Sequence, residues 1–315
     1  MAKTETNRPF RGLMNRFGVT RLARVTGLDR LGIEVVAAVR PFGHVLQVSQ
    51  GKGRTLLQAQ WSALGEAIEL AAAERPDPAR LVYRRDGGSA WAVGDEQVAW
   101  VRDDDGGWVP AQEVYCPPSG LVWLGPVGTR WRSNGLGFHP DSRARARRHA
   151  WLEVQERDAL ARVLPDGWTV DAVKNRLLAP APSLRAVRAH GFEAFAVDCS
   201  AGPTPVAGVL LFDLEGGPVP LTAGYAARAS LKAAVEAAFL EAAQSRLTEI
   251  HGAREDVVVG EREAGRALLE ALRALRPTAP RTRRGPTPRV SMVTLCESPW
   301  VVKAVSPTAL VTELL

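Results

Sequence analysis

Residues 49–74 read SQGKGRTLLQAQWSALGEAIELAAAE, and this stretch decides the fold. Its Gly51-Lys52-Gly53 sequence predicts a turn that opens into a long helix with apolar residues at helical spacing. Ser62, Glu66 and Glu69 are four and then three residues apart, so they share one face of that helix. The two carboxylates fit either a solvated stripe or a pair of ligands for a hard cation, because a buried ionised carboxylate needs a partner.

The same arrangement returns twice further along the chain. Glu153 and Glu156 form a second E-x-x-E inside WLEVQERDAL, and Glu241 and Gln244 form an acidic and amide pair inside AAFLEAAQSRLTEI. Oxygen ligands on three helices suit Mg²⁺ that carries phosphates, because this ion takes carboxylates, waters and substrate oxygens. The recurrence therefore favours the ligand interpretation.

Composition narrows the functional classes. The chain has 315 residues, of which 46% are hydrophobic and 23% charged, as is typical of a globular protein with ample core. Its net charge of +6 is concentrated in clusters that suit phosphates or an acidic peptide, or form a general basic surface: Arg143, Arg145, Arg147 and Arg148, and Arg281, Arg283 and Arg284. Aromatic residues do not interleave with these clusters, so we expect no nucleic-acid partner.

The sequence gives no support for a zinc site, a disulfide framework, secretion or a membrane span. The three cysteines are widely spaced, which argues against a zinc site or a disulfide framework. The first residues contain no apolar signal-peptide core, and no apolar run is long enough to span a membrane. We therefore expect a cytoplasmic protein that does not enter a membrane.

The order of the segments predicts one α+β domain over residues 19–315, preceded by a flexible arm at residues 1–18. The first long helix is expected within residues 50–74, the second from a cap at Asp141 or Ser142 to about 161, and the third at about 230–250. A further amphipathic helix is expected at 260–275. Buried strands are predicted at residues 33–39, 44–49, 192–199, 206–212, 290–295 and 300–305.

Four blocks resemble, in order, the main motifs of the YcaO family. They are GLDRLGIEVVAAVRP, SQGKG with SALGEAIE, SNGLG with LEVQERDAL, and EAAQSRLTEIHGARED. The blocks extend over residues 19–256, and together they are far more specific than any one of them. The GLDRLGI sequence near the start most resembles family members that are encoded beside TfuA-like proteins.

The resemblance implies a YcaO-type domain with mixed, mostly antiparallel sheets, in which three long helices contribute to a nucleotide site. It also implies ATP and Mg²⁺ as cofactors. Enzymes of this family phosphorylate a peptide-backbone amide oxygen in concert with, or after, attack of a nucleophile on the amide carbon, which turns that oxygen into a leaving group. The product is an azoline when a Cys, Ser or Thr side chain attacks, a thioamide with sulfide, and an amidine with an amine.

The family's functional residues match individual positions of this sequence. The implied metal ligands are Glu66, Glu69, Glu153 and Glu156. The implied cofactor-binding residues are Ser62, Lys52, Arg157, Gln244, Arg246 and Arg145. Ser62 would contact the nucleotide and Arg157 a phosphate, whereas a purely structural role in its turn fits Lys52 equally well.

Two positions depart from the family pattern. The first E-x-x-E is followed by Leu70, where the family has an arginine. Ahead of the second E-x-x-E, Asp141 takes the place of an asparagine and Arg145 that of a metal-binding glutamate. Three explanations stay open: Arg145 replaces one ion as a phosphate clamp, the alignment is off by one helical turn, or this chain no longer turns over ATP.

The end of the chain bears on the reaction type. Azoline-forming family members end in a Pro-rich tail, whereas this chain ends in SPTALVTELL, and no stretch remains for a small leader-binding winged-helix domain. We therefore expect thioamide formation on a precursor peptide or protein, with a TfuA-like partner and as a homodimer. Azoline formation and a non-catalytic scaffold that binds a peptide or partner enzyme are the alternatives. Cys199 fits either a sulfur carrier or a core cysteine in an apolar strand.

Overall fold

A computed structural model describes residues 10–86, 89–91, 93, 96–126, 134–217, 219–252, 262–280 and 284–310. Within these residues the strands form four antiparallel sheets of three strands each, in the orders β1-β2-β3, β4-β5-β6, β10-β9-β8 and β11-β12-β7. The strand bounds are β1 Arg21–Arg24, β2 Glu34–Val39, β3 Val48–Gly53, β4 Val82–Arg84, β5 Val98–Arg102, β6 Trp108–Pro110, β7 Gly135–His139, β8 Phe192–Asp198, β9 Val206–Asp213, β10 Leu221–Ala227, β11 Ser291–Glu297 and β12 Trp300–Val305. Arg281 and Arg283 lie outside the described residues.

Three long helices dominate the helical part of the described chain. The helix bounds are α1 Arg11–Phe17, α2 Leu56–Ala73, α3 Ala111–Val114, α4 Arg143–Val163, α5 Val170–Val173, α6 Pro182–Ala186, α7 Leu231–His251 and α8 Arg262–Ala274. The prediction of an α+β fold with antiparallel sheets and three long helices, here α2, α4 and α7, is confirmed.

Helix α2 begins where its sequence places a cap. The side chain of Thr55 accepts a hydrogen bond from the backbone N–H of Gln58, which satisfies one of the free donors of the first turn. The interpretation of Gly51-Lys52-Gly53 as a turn is wrong, because these residues are the end of strand β3. A Cβ atom on Gly51 would lie 1.9 Å from the backbone nitrogen of Ala63, so glycine is required there because α2 lies directly on the strand.

Helix α7 packs on its sheet in the same close manner. A Cβ atom on Gly224 of β10 would lie 2.1 Å from the backbone nitrogen of Ala242, so glycine lets the helix approach the strand. The opposite face of this sheet is covered by the C-terminal half of α4 and by α8, through Leu160 and Leu272. Alternate residues of β8 and β9 therefore enter two different core clusters, as expected for a sheet buried on both faces.

The predicted arm at residues 1–18 needs a correction in its second half. Residues 11–17 form helix α1, and Phe10, Met14 and Phe17 are buried against α2. Three apolar side chains at helical spacing supply enough buried surface to hold this short helix on the core. Residues 1–9 lie outside the described residues.

Helices that could cross a lipid bilayer are not found among the described residues, since none combines sufficient length with sufficient hydropathy.

Candidate active site

A cavity of about 770 Å³ lies among α2, α4, α7 and the strands β3, β7 and β10. It brings together eight of the ten residues that the sequence predicted, although they come from four separate elements. These residues are Lys52, Ser62, Glu66, Glu69, Glu153, Glu156, Arg157 and Gln244. The carboxylates of the two E-x-x-E motifs therefore face one shared space and are not solvated stripes on separate helices.

Each of the four carboxylates is fixed by a backbone N–H group. Glu66 Oε2 accepts a hydrogen bond from Gln50 N at 3.0 Å, and Glu69 accepts one from the backbone of Phe138. On α4, Glu153 Oε2 accepts from Leu136 N at 2.7 Å. Glu156 Oε2 accepts from Ala227 N at 2.9 Å. Donors from three different sheets thus hold the carboxylates in a preorganised arrangement.

Negative charge is in excess in this cavity. Burial raises the pKa of Glu69 well above its ordinary value, and the neighbouring Glu153 and Glu66 raise it further. Burial and the adjacent Glu153 also raise the pKa of Glu156. Both shifts have the direction expected for carboxylates that share a space of low dielectric.

The basic side chains that the sequence predicted are engaged with carboxylates. Lys52 forms an ion pair with Glu241 of α7, and burial lowers the pKa of its ammonium group. Arg157 donates to Glu153 Oε1 at 2.5 Å and to the backbone oxygen of Asn134 at 2.8 Å. Arg157 therefore orients one carboxylate of the second pair and ties α4 to the start of β7.

One end of the cavity is aromatic and apolar. Trp61 lies beside Ser62 on α2, with its ring 6.3 Å from that of Phe138 at an interplanar angle of 25°. Phe10 of the α1 segment supports Trp61 edge-on at a centroid distance of 4.7 Å. Pro140 and Leu152 complete this wall. Such a surface suits a flat ring, while the carboxylates lie one to two turns further along α2.

Arg145 and Arg246 were predicted as cofactor-binding residues, and the structure does not place either in the cavity wall. Arg145 is exposed in the first turn of α4, where its Nη1 lies 3.3 Å from His139 Nε2 at the cavity rim. Arg246 is 2% exposed and pairs with Asp29 at 3.1 Å and Asp213 at 2.8 Å. Arg246 links α7 to these two aspartates outside the cavity lining, and its predicted contact with a cofactor stays a prediction.

The structure shows the surroundings of the two positions that depart from the family pattern. Leu70 is buried beside Ala73 and Leu136, so the face of α2 that carries it belongs to the core and not to the cavity. One turn after Arg145, His149 faces the cavity, and burial lowers the pKa of its imidazole. The neutral imidazole of His149 therefore occupies the cavity-facing position that precedes Glu153 by one turn.

Sequence reasoning missed several residues of the cavity wall, among them His149, Tyr225 and Arg228. His149 could have been found from its position four residues before Glu153 on the same helix face. Tyr225 lies on β10 and accepts a hydrogen bond from Trp168, and burial raises the pKa of its hydroxyl group, so it stays protonated. Arg228 follows β10 in a short connection, where no periodic pattern indicates the direction of a side chain.

A family model for YcaO cyclodehydratases, described as binding ATP and Mg²⁺, matches residues 96–304, which is more than half of the chain. The chain belongs to the YcaO family. ATP and Mg²⁺ are therefore the cofactors of this YcaO protein, as the resemblance of its motifs implied. The same match places it in an ATP-dependent, cyclodehydratase-like family of enzymes.

Curated relatives extend the match beyond the family model. The YcaO chain is 33% identical over 316 residues to an uncharacterized protein of Methanothermobacter thermautotrophicus, which covers 85% of this chain and 76% of the relative. An uncharacterized protein of Mycobacterium tuberculosis is 32% identical over 265 residues, 76% of this chain and 59% of its own length. An uncharacterized protein in the tfuA 3′ region of Rhizobium leguminosarum bv. trifolii is 34% identical over 164 residues, 46% of this chain and 39% of that protein.

Solved structures share the fold. YcaO from Methanopyrus kandleri, bound with AMPPCP and Mg²⁺, has a TM-score of 0.68 and 23% identity, covering 97% of this chain and 90% of that one. A heterocyclase in complex with substrate and cofactor has a TM-score of 0.62 and 16% identity, covering 95% and 52%. The Escherichia coli microcin synthetase McbBCD complex has a TM-score of 0.57 and 14% identity, covering 91% and 88%.

The cavity residues fit this pair of cofactors. Among the described residues, no three His, Cys, Asp or Glu side chains are grouped closely enough to form a ready-made metal site. Mg²⁺ in nucleotide sites is commonly held by one or two carboxylates together with waters and phosphates, so paired carboxylates on facing walls suit it. Gln244 Oε1 is buried without a hydrogen-bond partner in the described part of the chain, and it offers an acceptor to a ligand.

Proposed function

We propose that this YcaO protein uses ATP and Mg²⁺ to phosphorylate a backbone amide oxygen of a precursor peptide or protein, with a thioamide as the product. The observation that carries the proposal is the convergence of Glu66, Glu69, Glu153 and Glu156 on one cavity. Four carboxylates in one buried space need cations, and nucleotide phosphates bring Mg²⁺ with them.

Each wall of the cavity has a proposed task. The four glutamates hold Mg²⁺, which when bound neutralises charge on the transferring phosphoryl group. Lys52 and Arg157 keep two of the acidic side chains, Glu241 and Glu153, in place. Ser62 and Gln244 contact the nucleotide, whose base lies against the aromatic wall of Trp61 and Phe138. The apolar wall also excludes water that would otherwise compete with the substrate nucleophile.

Thioamide formation is favoured by the position of one relative in a tfuA 3′ region. This supports a TfuA-like partner that supplies sulfur or recognises substrate for the YcaO protein. Azoline formation is the second candidate, and it is favoured by the description of the family model as a cyclodehydratase. A homodimer stays a prediction, as does the non-catalytic scaffold that the substitutions at Leu70 and Arg145 suggest.

Reconstitution with ATP, Mg²⁺, a sulfide source, a TfuA-like protein and a candidate precursor peptide tests the proposal. The expected product has exchanged one oxygen for sulfur, and its formation releases ADP and phosphate. Loss of one water instead identifies azoline formation. A product without nucleotide hydrolysis would overturn the proposal.

Two substitutions in the cavity distinguish an enzyme from a scaffold. We expect Glu69→Gln and Glu156→Gln to abolish product formation, because each neutralises a carboxylate that faces the cavity. Glu270→Gln on the exposed face of α8 is the matched control and should keep wild-type activity. A scaffold would keep full function in the pathway with all three variants.

A further inference from the structure

Arg228 is a cavity side chain that no part of the sequence analysis singled out. It lies in the connection between β10 and α7, two residues before Ser230, the N-cap of α7. Its guanidinium group is half-buried and lines the cavity. The position of its backbone is fixed, because the N–H of the preceding residue, Ala227, donates to Glu156 at 2.9 Å. The chain therefore delivers a guanidinium group beside a carboxylate that faces the cavity.

The guanidinium group of Arg228 forms no ion pair with a carboxylate in the part of the chain that the structure describes, although its charge acts on the nearby Glu156. Its Nη1 donates to the backbone oxygen of Ala227 at 2.7 Å, and no carboxylate of the described residues lies within ion-pair distance. The other basic residues of the wall differ in this respect, since Lys52 pairs with Glu241 and Arg157 pairs with Glu153. Among the described residues of the cavity wall, Arg228 is thus a guanidinium group whose charge is not matched by an ion pair.

A free, half-buried guanidinium group favours a particular kind of ligand. Its planar donors match two oxygens of a phosphate or a carboxylate at once. The carboxylates around it make the cavity repel a bare anion, so the ligand that fits is an oxyanion that arrives with its own metal ion. A polyphosphate with bound Mg²⁺ meets this condition, whereas a free carboxylate does so less well because it carries a metal weakly.

Helix α2 offers no competing guanidinium group for this task. Leu70, directly after its E-x-x-E motif, is buried in the core. Arg145 of α4 is exposed at the rim and lies beside His139. An anion at the centre of the cavity therefore meets a free guanidinium group only from the β10–α7 connection, as far as the described residues extend.

We infer that Arg228 binds the polyphosphate of the Mg²⁺-bound ligand and so supplies the guanidinium contact that neither Leu70 nor Arg145 provides. This inference rests on the proposed nucleotide-dependent function and adds the residue that holds the phosphoryl group. It also gives a reason why the Leu70 and Arg145 departures are compatible with ATP turnover. The contact comes from a different element of the fold.

Calorimetric titration of the full-length protein tests the inference with inorganic tripolyphosphate in the presence of Mg²⁺. We expect Arg228→Gln to weaken tripolyphosphate binding by about tenfold or more, as is typical for a lost charged hydrogen-bond pair. Arg228→Lys should recover part of the affinity, because lysine keeps the positive charge but lacks the planar, paired donors of the guanidinium group. Arg145→Gln, at the rim, is the matched control and should bind within about twofold of wild type.

A second titration with Mn²⁺ alone separates ligand binding from a purely structural role. Removing a positive charge beside Glu156 should leave metal binding unchanged or make it tighter, while tripolyphosphate binding becomes weaker. Weakening of both by the same factor would mean that Arg228 only maintains the site, and would overturn the inference. Wild-type affinity of Arg228→Gln for tripolyphosphate, or no binding of tripolyphosphate by the wild-type protein, would also overturn it.

The same measurements with ATP distinguish this inference from the proposed function. If the wild-type protein binds tripolyphosphate through Arg228 but does not bind ATP, the proposed function fails and the inference stands. If ATP binds equally well to wild type and to Arg228→Gln, the inference fails and the proposed function stands. Should Arg228→Gln not fold, as judged by thermal denaturation, Arg228→Lys decides the question: affinity equal to wild type in both titrations would overturn the inference.

Discussion

Glu69 combines burial with nearby negative charge: it accepts a hydrogen bond from the backbone of Phe138, and the carboxylates of Glu153 and Glu66 are close to it. A carboxyl group in such surroundings is stable as the neutral acid or beside a cation. Its ionised form at neutral pH therefore destabilises the metal-free protein. The same carboxylate stabilises the protein once a divalent ion is bound, so the conflict marks a functional position.

We expect Glu69→Gln to raise the free energy of unfolding of the metal-free protein at pH 7. The folded-state pKa lies above the ordinary value of 4.5, so the folded protein holds a proton that the unfolded chain releases as the pH rises through 4.5. Wild-type stability falls over that window, whereas glutamine has no proton to lose. Urea denaturation in EDTA at pH 7 and below pH 4 measures the difference, which should shrink at the lower pH. Equal stabilities at pH 7 would contradict the prediction.

Cys199, which the sequence allowed as either a sulfur carrier or a core cysteine, lies in the core. It has 0% exposure and packs in the core cluster of β8 and β9, and burial raises the pKa of its thiol to about 12. A thiol of this kind remains protonated, and thiolate is the reactive form. The core interpretation from the sequence is therefore favoured over a sulfur carrier.

Alkylation at pH 8 tests this assignment. We expect Cys199 to resist iodoacetamide in the native protein and to react after denaturation, with at least a tenfold difference in rate, roughly in line with its loss of thiolate. Cys116 and Cys296 are partly exposed and serve as internal controls for reagent access. Peptide mass mapping after a short exposure reads out each site. Rapid modification of Cys199 in the folded protein would restore the carrier hypothesis.

At the scale of elements, the sequence predicted the long helices from apolar residues at helical spacing in α2 and from a cap ahead of α4, which is Ser142. It also placed the two carboxylates of each E-x-x-E motif on one face of their helix, because residues three apart are neighbours on a helix surface. Strands β7 and β10 were missed, since Gly135 and Gly224 interrupt the apolar pattern that marks a strand. Those glycines exist because helices lie on the strands, and this contact is tertiary, so a local pattern cannot reveal it.

Not every residue of a family motif lines the cavity, and some residues that line the cavity belong to no motif. Arg246 follows Gln244 by two residues, but this rotates it to another side of α7, where it pairs with Asp29 and Asp213. Arg228 belongs to no periodic element and reaches the cavity from a connection. Helical spacing therefore predicted the carboxylates well, whereas the basic residues depended on long-range packing that the sequence does not encode locally.

Helix α1 provides a prediction at this scale. Phe10→Ala should lower the free energy of unfolding by about 3–5 kcal/mol, because a fully buried ring is removed. It should also weaken ATP binding, since Phe10 is the edge-on support of Trp61 in the aromatic wall. Phe17→Ala removes another buried ring of α1 and is the control: we expect a loss of stability with ATP affinity retained. Urea denaturation and calorimetry measure the two effects. Equal loss of affinity in both variants would refute a nucleobase contact at Trp61.

At the scale of the whole molecule, three sheets and the three long helices meet at the cavity. Strands β3, β7 and β10 belong to three different sheets, and each lies under one of the long helices that carry the carboxylates or Gln244. A ligand that contacts all three helices adds further contacts between parts of the fold that already meet through packing, the Ala227–Glu156 hydrogen bond and the Lys52–Glu241 ion pair. We therefore expect ligand binding to stabilise the fold as one unit and not a single element.

AMPPCP with Mg²⁺ at a hundredfold excess over its Kd should raise the free energy of unfolding by about 2.7 kcal/mol, because the ligand binds the folded protein alone. EDTA should cancel the effect, since the carboxylates repel a nucleotide that lacks its metal ion. Glu156→Gln should lose most of the stabilisation, whereas Glu270→Gln on α8 should keep it. Thermal denaturation with and without ligand measures all four cases. The same stabilisation in EDTA would show that the nucleotide binds without the carboxylate-bound ion, and the assignment of the four glutamates as metal ligands would then be wrong.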